Sequence, residues 1–207
     1  MNLERALRLP VLENNLIKVV IGGLLSLIPI VNLFTFGYFY RLMQNILAGD
    51  YRLPEWDDWG EKFVTGLQVF LIGLLYFLIP LLIMAVSGGA GVMMHRPGGS
   101  AGGMLLSMLV LLLELVILPM ALSHFVASGR WGAAFELGVI FNRIAATGSV
   151  YWVAILVTLA LTLVLGLLMT IPILGWIVGV FGGFYVGCVC WILFAEAYLA
   201  GVGEKQT

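Results

Sequence analysis

Two carboxylates of this sequence lie inside long apolar runs, where an ionisable side chain is uncommon and worth explaining. Glu114 stands at the centre of LLSMLVLLLELVILPMALSHF, and Glu196 lies near the end of the last run. If these runs cross a bilayer, Glu114 sits near its midplane, where a charged carboxylate is costly. It must then be protonated, paired or hydrated, and it is a functional candidate by default. Placed by the helical rise, Tyr76, Thr158, Thr162 and Tyr185 fall within about 3 Å of the same depth, and no Lys or Arg does. These hydroxyls could hydrogen-bond a neutral Glu114 or help it line a proton or cation site. The plainer alternative is an acid that ties two helices together through a bond worth about 0.6 kcal/mol on average. Glu196 is close enough to its helix end to reach water or Arg143.

The remaining chemistry-bearing residues are weaker candidates. Asp50, Glu55, Asp57, Asp58 and Glu61 form an acidic cluster, and carboxylates suit hard cations. Their spacing matches no calcium loop, however, and Arg41, Arg52 and Lys62 lie close by. A solvated connector that holds Trp56 and Trp59 in place accounts for the pattern. Gly98-Gly99-Ser100-Ala101-Gly102 satisfies G-x-S-x-G, but a nucleophile elbow needs a strand–turn–helix setting and a base held by an acid. Here His95 is the sole nearby base and no carboxylate accompanies it. His95 and His124 fall near opposite ends of their segment, so no metal site is expected, nor any cofactor. Cys188 and Cys190, two apart on a helix, point to nearly opposite sides and cannot bridge each other. Gly175, Gly179, Gly183 and Gly187 recur every fourth residue, a spacing that lets helices approach closely where lipid offers no hydrophobic force. The run predicts packing inside the bundle or against a second subunit, and Gly183→Leu is expected to disturb either.

The elements that carry these residues follow from composition. Of 207 residues, 62% are hydrophobic and 10% charged, with mean hydropathy +1.10. A soluble domain carries about 25% charged residues, and a soluble core of this size could not hide so much apolar surface. The chain reads as a single polytopic membrane domain over 1–207. A net charge of −1 gives no sign of a nucleic-acid partner. Four runs, about 64–87, 103–127, 149–171 and 173–199, exceed the roughly 20 helical residues that a bilayer core requires. Residues 19–40 are either one span or a short hairpin folded at Pro29. The octapeptide Gly23–Ile30 repeats as Gly166–Ile173 in the form G-L-L-x-x-I-P-I, and Pro172 must mark a turn because an unbroken helix there would far exceed a bilayer. The hairpin also places Arg5, Arg8, Lys18, Arg41, Arg52, Lys62, Arg130, Arg143 and Lys205 on one side, leaving Arg96 alone on the other. Basic residues collect on the cytoplasmic side, so both termini are expected there and 88–102 outside.

The predicted fold is therefore all-α: six transmembrane or membrane-inserted helices in three hairpins, the first short, with amphipathic lead-ins at about 1–16, 50–62 and 128–148. The N-terminal segment is polar, with no apolar signal-peptide core. A second echo, Trp59-Gly60-x-x-Phe63-x-x-Gly66 against Trp131-Gly132-x-x-Phe135-x-x-Gly138, places equivalent lead-ins before outward helices. Tyr38, Tyr40, Tyr51, Trp56, Trp59, Trp131, Tyr151, Trp152 and Tyr198 fall at one interface, where amphipathic rings prefer to sit, and Trp176 at the other.

The stretch GYFYRLMQNILAGDYRLPEWDDWGEKFVTGL, from Gly37 to Leu67, resembles the prokaryotic membrane family DUF4013, a domain of unknown function. Gly37-Tyr38, Arg41, Gly49, Leu53-Pro54-Glu55, Asp57-Asp58-Trp59, Phe63 and Gly66-Leu67 carry the resemblance, with Gly22 to Leu25 upstream. It implies a multi-pass protein of a prokaryotic cell membrane and supplies no functional residues. No segment outside the runs exceeds about 21 residues, which leaves no room for a soluble catalytic domain, so a non-enzymatic role is expected. A small permease or channel built on Glu114 comes first, because a midplane carboxylate and Gly- and Pro-broken helices suit a transport path. An accessory or scaffold subunit comes next, and a lipid-modifying enzyme last. Expected partners are the lipid bilayer and, through the last helix, a second copy or another membrane protein.

Overall fold

The computed structural model describes residues 1–93 and 99–203, and all regular structure among them is helical. A short helix α1 (Leu3–Arg8) is capped by Asn2, whose Oδ1 accepts the Arg5 N–H at 3.0 Å. A 3₁₀ turn over Leu9–Val11 follows, and α2 (Glu13–Ser26) leaves this lead-in at 76°. Then come α3 (Asn32–Leu47), α4 (Trp59–Met93), α5 (Gly99–Ser128), a 3₁₀ turn over Trp131–Phe135, α6 (Leu137–Thr147), α7 (Ser149–Met169) and α8 (Leu174–Gly203).

Four helices are long and apolar enough to cross a membrane: Trp59–Ser87, Ala101–Ser128, Ser149–Met169 and Leu174–Val202. The bent lead-in and α2, taken together, would make a fifth. Residues 19–40 are not one helix. Pro29 lacks an N–H and disfavours helical backbone at Ile28, and the chain turns between Ser26 and Asn32. The two G-L-L-x-x-I-P-I copies behave alike, since α2 and α7 stop at the equivalent residues Ser26 and Met169. The Trp-Gly echo does not. Trp59 is already the first residue of α4, whereas Trp131–Phe135 is a 3₁₀ turn with α6 still to come before α7. Gly66 abuts another backbone while Gly138 meets nothing within 4 Å, so the two copies do different work.

α8 is the central post. Every residue from Ile192 to Tyr198 is buried, as are Phe184, Cys188 and Val189. A helix buried all round must be apolar all round, which is what the run CVCWILFA supplies. Helix α3 crosses α4 with almost no side chain between them. A Cβ on Gly37 would run into the Lys62 carbonyl, and one on Gly66 into the Leu33 carbonyl. Along α4 and α5, Ser107 Oγ donates to the Pro80 carbonyl at 2.9 Å. Pro119, inside α5, removes one rung of the backbone ladder. The Val116 carbonyl, one turn before it, accepts the Tyr151 hydroxyl from α7. That bond and the contact of His124 with Tyr198 link the α4–α5 pair to the α7–α8 pair.

The four-residue glycine run of α8 does not make one packing face. Gly175 lies against the Met169 and Leu168 carbonyls, Gly179 against the Met169 side chain and Gly187 against the Phe39 ring. Gly183 has nothing within 4 Å of its Cβ direction, and it lines a cavity of about 380 Å³ beside Ser26, Thr35 and Phe39. Along α8 the run thus faces the end of α7 first, then the open groove, then α3. Cys188 and Cys190 are both free thiols.

Candidate functional site

The polar end of the molecule gathers the N-terminal lead-in, the connector 48–58 and the segment 129–148. A cleft of about 530 Å³ lies there between the start of α2, the end of α3 and the connector. The connector is clasped rather than loose. Trp56 Nε1 donates to the Lys18 carbonyl at 3.0 Å, and the Lys18 ammonium returns to the Leu53 carbonyl at 3.0 Å and to Glu55 at 2.6 Å. The Trp56 ring stacks on Tyr38 at 4.4 Å and on Trp59 at 5.8 Å. Asn15 Nδ2, buried, donates to the Leu9 carbonyl at 2.8 Å and fixes the bend into α2.

The acidic cluster resolves into ion pairs along the same connector. Asp50 is held by both nitrogens of Arg52, Asp57 by Lys62 at 2.9 Å, Glu55 by Lys18, and Glu61 by Arg41 at 3.6 Å. The bond from Arg52 lowers the Asp50 pKa below the ordinary carboxylate range, and the bond from Lys62 does the same for Asp57. Lys62 itself is buried, and it also donates to the Asp57 carbonyl. Asp58 enters α4 with a positive φ of 43°, its carbonyl accepting the Lys62 N–H. A connector carrying paired charges and stacked rings is the arrangement these residues make.

A second cluster escaped the sequence reading. His124, near the end of α5, bonds Tyr198 of α8 through Nδ1 at 3.0 Å and Glu136 through Nε2 at 3.3 Å. Arg130 donates to the other oxygen of Glu136 at 2.9 Å, and Arg143 lies over the Tyr198 ring at 5.1 Å. The bond from His124, ahead of the Arg130 charge, lowers the Glu136 pKa below its ordinary value. The available signal was that His124 and Tyr198 are polar-tipped residues near the ends of two mostly apolar helices. Sequence alone does not bring those turns together. Arg143, one of the two partners expected for Glu196 beside water, lies over Tyr198 instead.

Among the described residues no hydrogen bond joins Glu114 to the four hydroxyls expected at its depth. Glu114 is buried, and its Oε1 has no hydrogen-bond partner among the described residues. The Tyr76 hydroxyl donates instead to the Ala134 carbonyl at 2.7 Å, and the Tyr185 hydroxyl to the Leu7 carbonyl at 3.1 Å. Thr158 has a buried hydroxyl without a partner, and Thr162 is exposed. Equal height along parallel helices does not fix azimuth, and the two tyrosine hydroxyls are taken by backbone carbonyls. Glu196 is the other buried carboxylate. Its Oε2 accepts the Asn2 N–H at 2.6 Å, while its Oε1 is buried without a partner. His95 and Gly98 lie outside the described residues, and the rest of the G-x-S-x-G segment, Gly99 to Gly102, belongs to α5.

No curated protein matches this chain, and no solved structure does. The stretch that clasps the polar end, with Gly37 and Gly66 at its closest helix crossing, lies within the match to a family model. That model, described as a protein of unknown function (DUF4013), covers residues 21–195, and the chain belongs to that family.

Proposed function

We propose that this is a multi-pass protein of a prokaryotic cell membrane that acts without chemistry of its own, as an accessory or scaffold subunit of a larger membrane assembly. One observation carries the reading. Only 17% of the most apolar window of α5 and 11% of that of α7 is buried by the chain itself, against 33% for α8. Lipid covers such surface adequately, and so does another helix. The turn before α8 and its first residues add Ile173, Leu174, Trp176 and Ile177, all exposed, beside the groove at Gly183. We place the three short-linked helix pairs across the bilayer, with the polar end and both termini cytoplasmic, because Arg5, Arg8, Lys18, Arg41, Arg52, Lys62, Arg130 and Arg143 lie at that end. The test is the mass of the particle extracted directly into polymer-bounded lipid discs. More than one polypeptide per disc is expected. A lone chain that moves ions in proteoliposomes would overturn the proposal.

A permease reading retains one observation in its favour, the unpartnered buried oxygen of Glu114. An acid left unsatisfied in an apolar helix is expensive, and a translocated proton or cation would relieve it. Glu114→Gln keeps the shape and removes the titratable proton. On this reading, flux in proteoliposomes is lost or stops depending on pH while yield stays normal. Unchanged flux and pH dependence would reduce Glu114 to a packing residue.

A further inference from the structure

Glu196 is 6% exposed, yet it lines an open cavity of about 460 Å³ at the polar end, formed with Met1, Asn2, Arg5, Tyr51, Leu199 and Ala200. One carboxylate oxygen is used by the Asn2 N–H; the other is buried and unpartnered among the described residues. A buried acceptor left without a donor is unfavourable, and for a carboxylate the matching donor is a cation with N–H groups. The same cavity holds a fixed positive charge. The Arg5 guanidinium lies over the Tyr51 ring at 4.3 Å, with no carboxylate paired to it among the described residues. A negative group facing Arg5 and a hydrogen-bonding ammonium facing Glu196 are the two ends of one zwitterion. The surroundings say where it comes from. Leu199 and Ala200 form the apolar wall, and the lead-in beside them exposes Met1 and Leu3.

We propose that this cavity binds the headgroup of a phospholipid bearing a primary ammonium, the Glu196 carboxylate turning its second, enclosed oxygen toward the ammonium while Arg5 holds the phosphate. The assignment separates primary amines from choline, because a quaternary ammonium carries charge but no N–H to give the orphaned oxygen. It also separates a lipid from a free headgroup, since Leu199 and Ala200 wall the cavity and Met1 and Leu3 of the lead-in are exposed for acyl-chain contact.

The full-length chain is reconstituted in vesicles of phosphatidylethanolamine, phosphatidylcholine and phosphatidylglycerol at equal fractions. It is then released into mild detergent, and retained lipid is counted by native mass spectrometry. Wild type is expected to retain phosphatidylethanolamine over phosphatidylcholine by about tenfold, the worth of one charge-assisted hydrogen bond. Glu196→Gln, which still accepts from Asn2, is expected to bring that ratio to about one, and Arg5→Gln to weaken retention of all three lipids. Soluble phosphoethanolamine, added in excess, is expected not to displace the lipid. Displacement would assign the site to a free headgroup and overturn the lipid assignment. Equal retention of the ethanolamine and choline lipids by wild type would overturn the proposal outright, and that comparison decides even if Glu196→Gln fails to fold.

Discussion

At the polar end, Trp56, Lys18, Asn15 and Lys62 join three segments through directed bonds to carbonyls and carboxylates. Along the far halves of α5 and α7, side chains such as Leu113, Leu163 and Leu167 are more than half exposed and touch little of their own chain. Water explains the difference. An exposed loop must satisfy its backbone groups one by one, and a connector that also positions a helix does so with side chains. Within hydrocarbon the backbone satisfies itself in helices, and packing there rests on dispersion and close approach rather than on the expulsion of water. Stability should therefore concentrate where bonds and glycine crossings are dense, and surface choice should be free where they are not.

The largest effect is expected at the α3–α4 crossing. Gly66→Leu drives a side chain into the Leu33 carbonyl, which cannot yield without moving α3. Overpacking of side chains alone costs about 1–3 kcal/mol, and a backbone collision should exceed that. Loss of the monodisperse peak in detergent chromatography is expected for Gly66→Leu. Gly73→Leu, on the same helix with nothing within 4 Å, should leave the peak intact. Equal behaviour of the two would mean that α3 and α4 do not cross so closely.

Next in size is Trp56. Truncation to Ala removes both the stack on Tyr38 and the bond to the Lys18 carbonyl, an expected loss of about 3–5 kcal/mol. Trp56→Phe keeps most of the stack and forfeits only the bond, about 1 kcal/mol. Thermal denaturation in detergent followed by circular dichroism ranks the pair. If Phe is as damaging as Ala, the hydrogen bond and not the stacking holds the connector.

These two predictions involve residues of the motif-bearing stretch, where sequence reading was most effective. The four long helices were legible because apolar length alone defines them, and the turn at Pro29 was legible because its octapeptide recurs around Pro172. The carbonyl partners of Tyr76 and Tyr185 were not. Depth follows from counting along a helix, but azimuth and partner choice follow from how helices rotate against each other, and a nearly uniform apolar surface does not encode that rotation. Lys18 shows the same limit. Its position in the sequence gives no hint that it meets Leu53 and Glu55, a contact made only because the lead-in bends by 76°.

A smaller effect concerns pH. Glu136 titrates below its ordinary range because His124 and Arg130 bond its ionised form. A carboxylate with a lowered folded-state pKa contributes stability that is present above its unfolded pKa. That stability is lost as pH falls through the lowered value. The hold of the 129–148 segment on α5 should therefore weaken on acidification below the ordinary carboxylate range. Glu136→Gln should flatten that part of the melting profile between pH 6 and the acid limit. An unchanged profile would show that the segment is held by Tyr76, Ala134 and Phe135 instead.

The smallest effect separates two glycines of one run. Gly187 faces the Phe39 ring, whose nearest atom would lie 2.5 Å from an added Cβ, while Gly183 opens onto the groove beside Ser26 and Thr35. In Gly187→Ala the ring must shift, and it is itself pinned by stacking on Phe184 and Trp191. In Gly183→Ala nothing needs to move, and the helix interior gains about 0.5–1 kcal/mol from the loss of glycine's backbone freedom. The two substitutions are chemically identical, and each lies in α8 one turn from the other. Their melting temperatures should nevertheless move in opposite directions, Gly183→Ala up and Gly187→Ala down. A fall in both would mean that a second chain or an ordered lipid occupies the groove at Gly183. A rise in both would mean that Phe39 is free to turn aside and that α3 is not locked to α8 at this level.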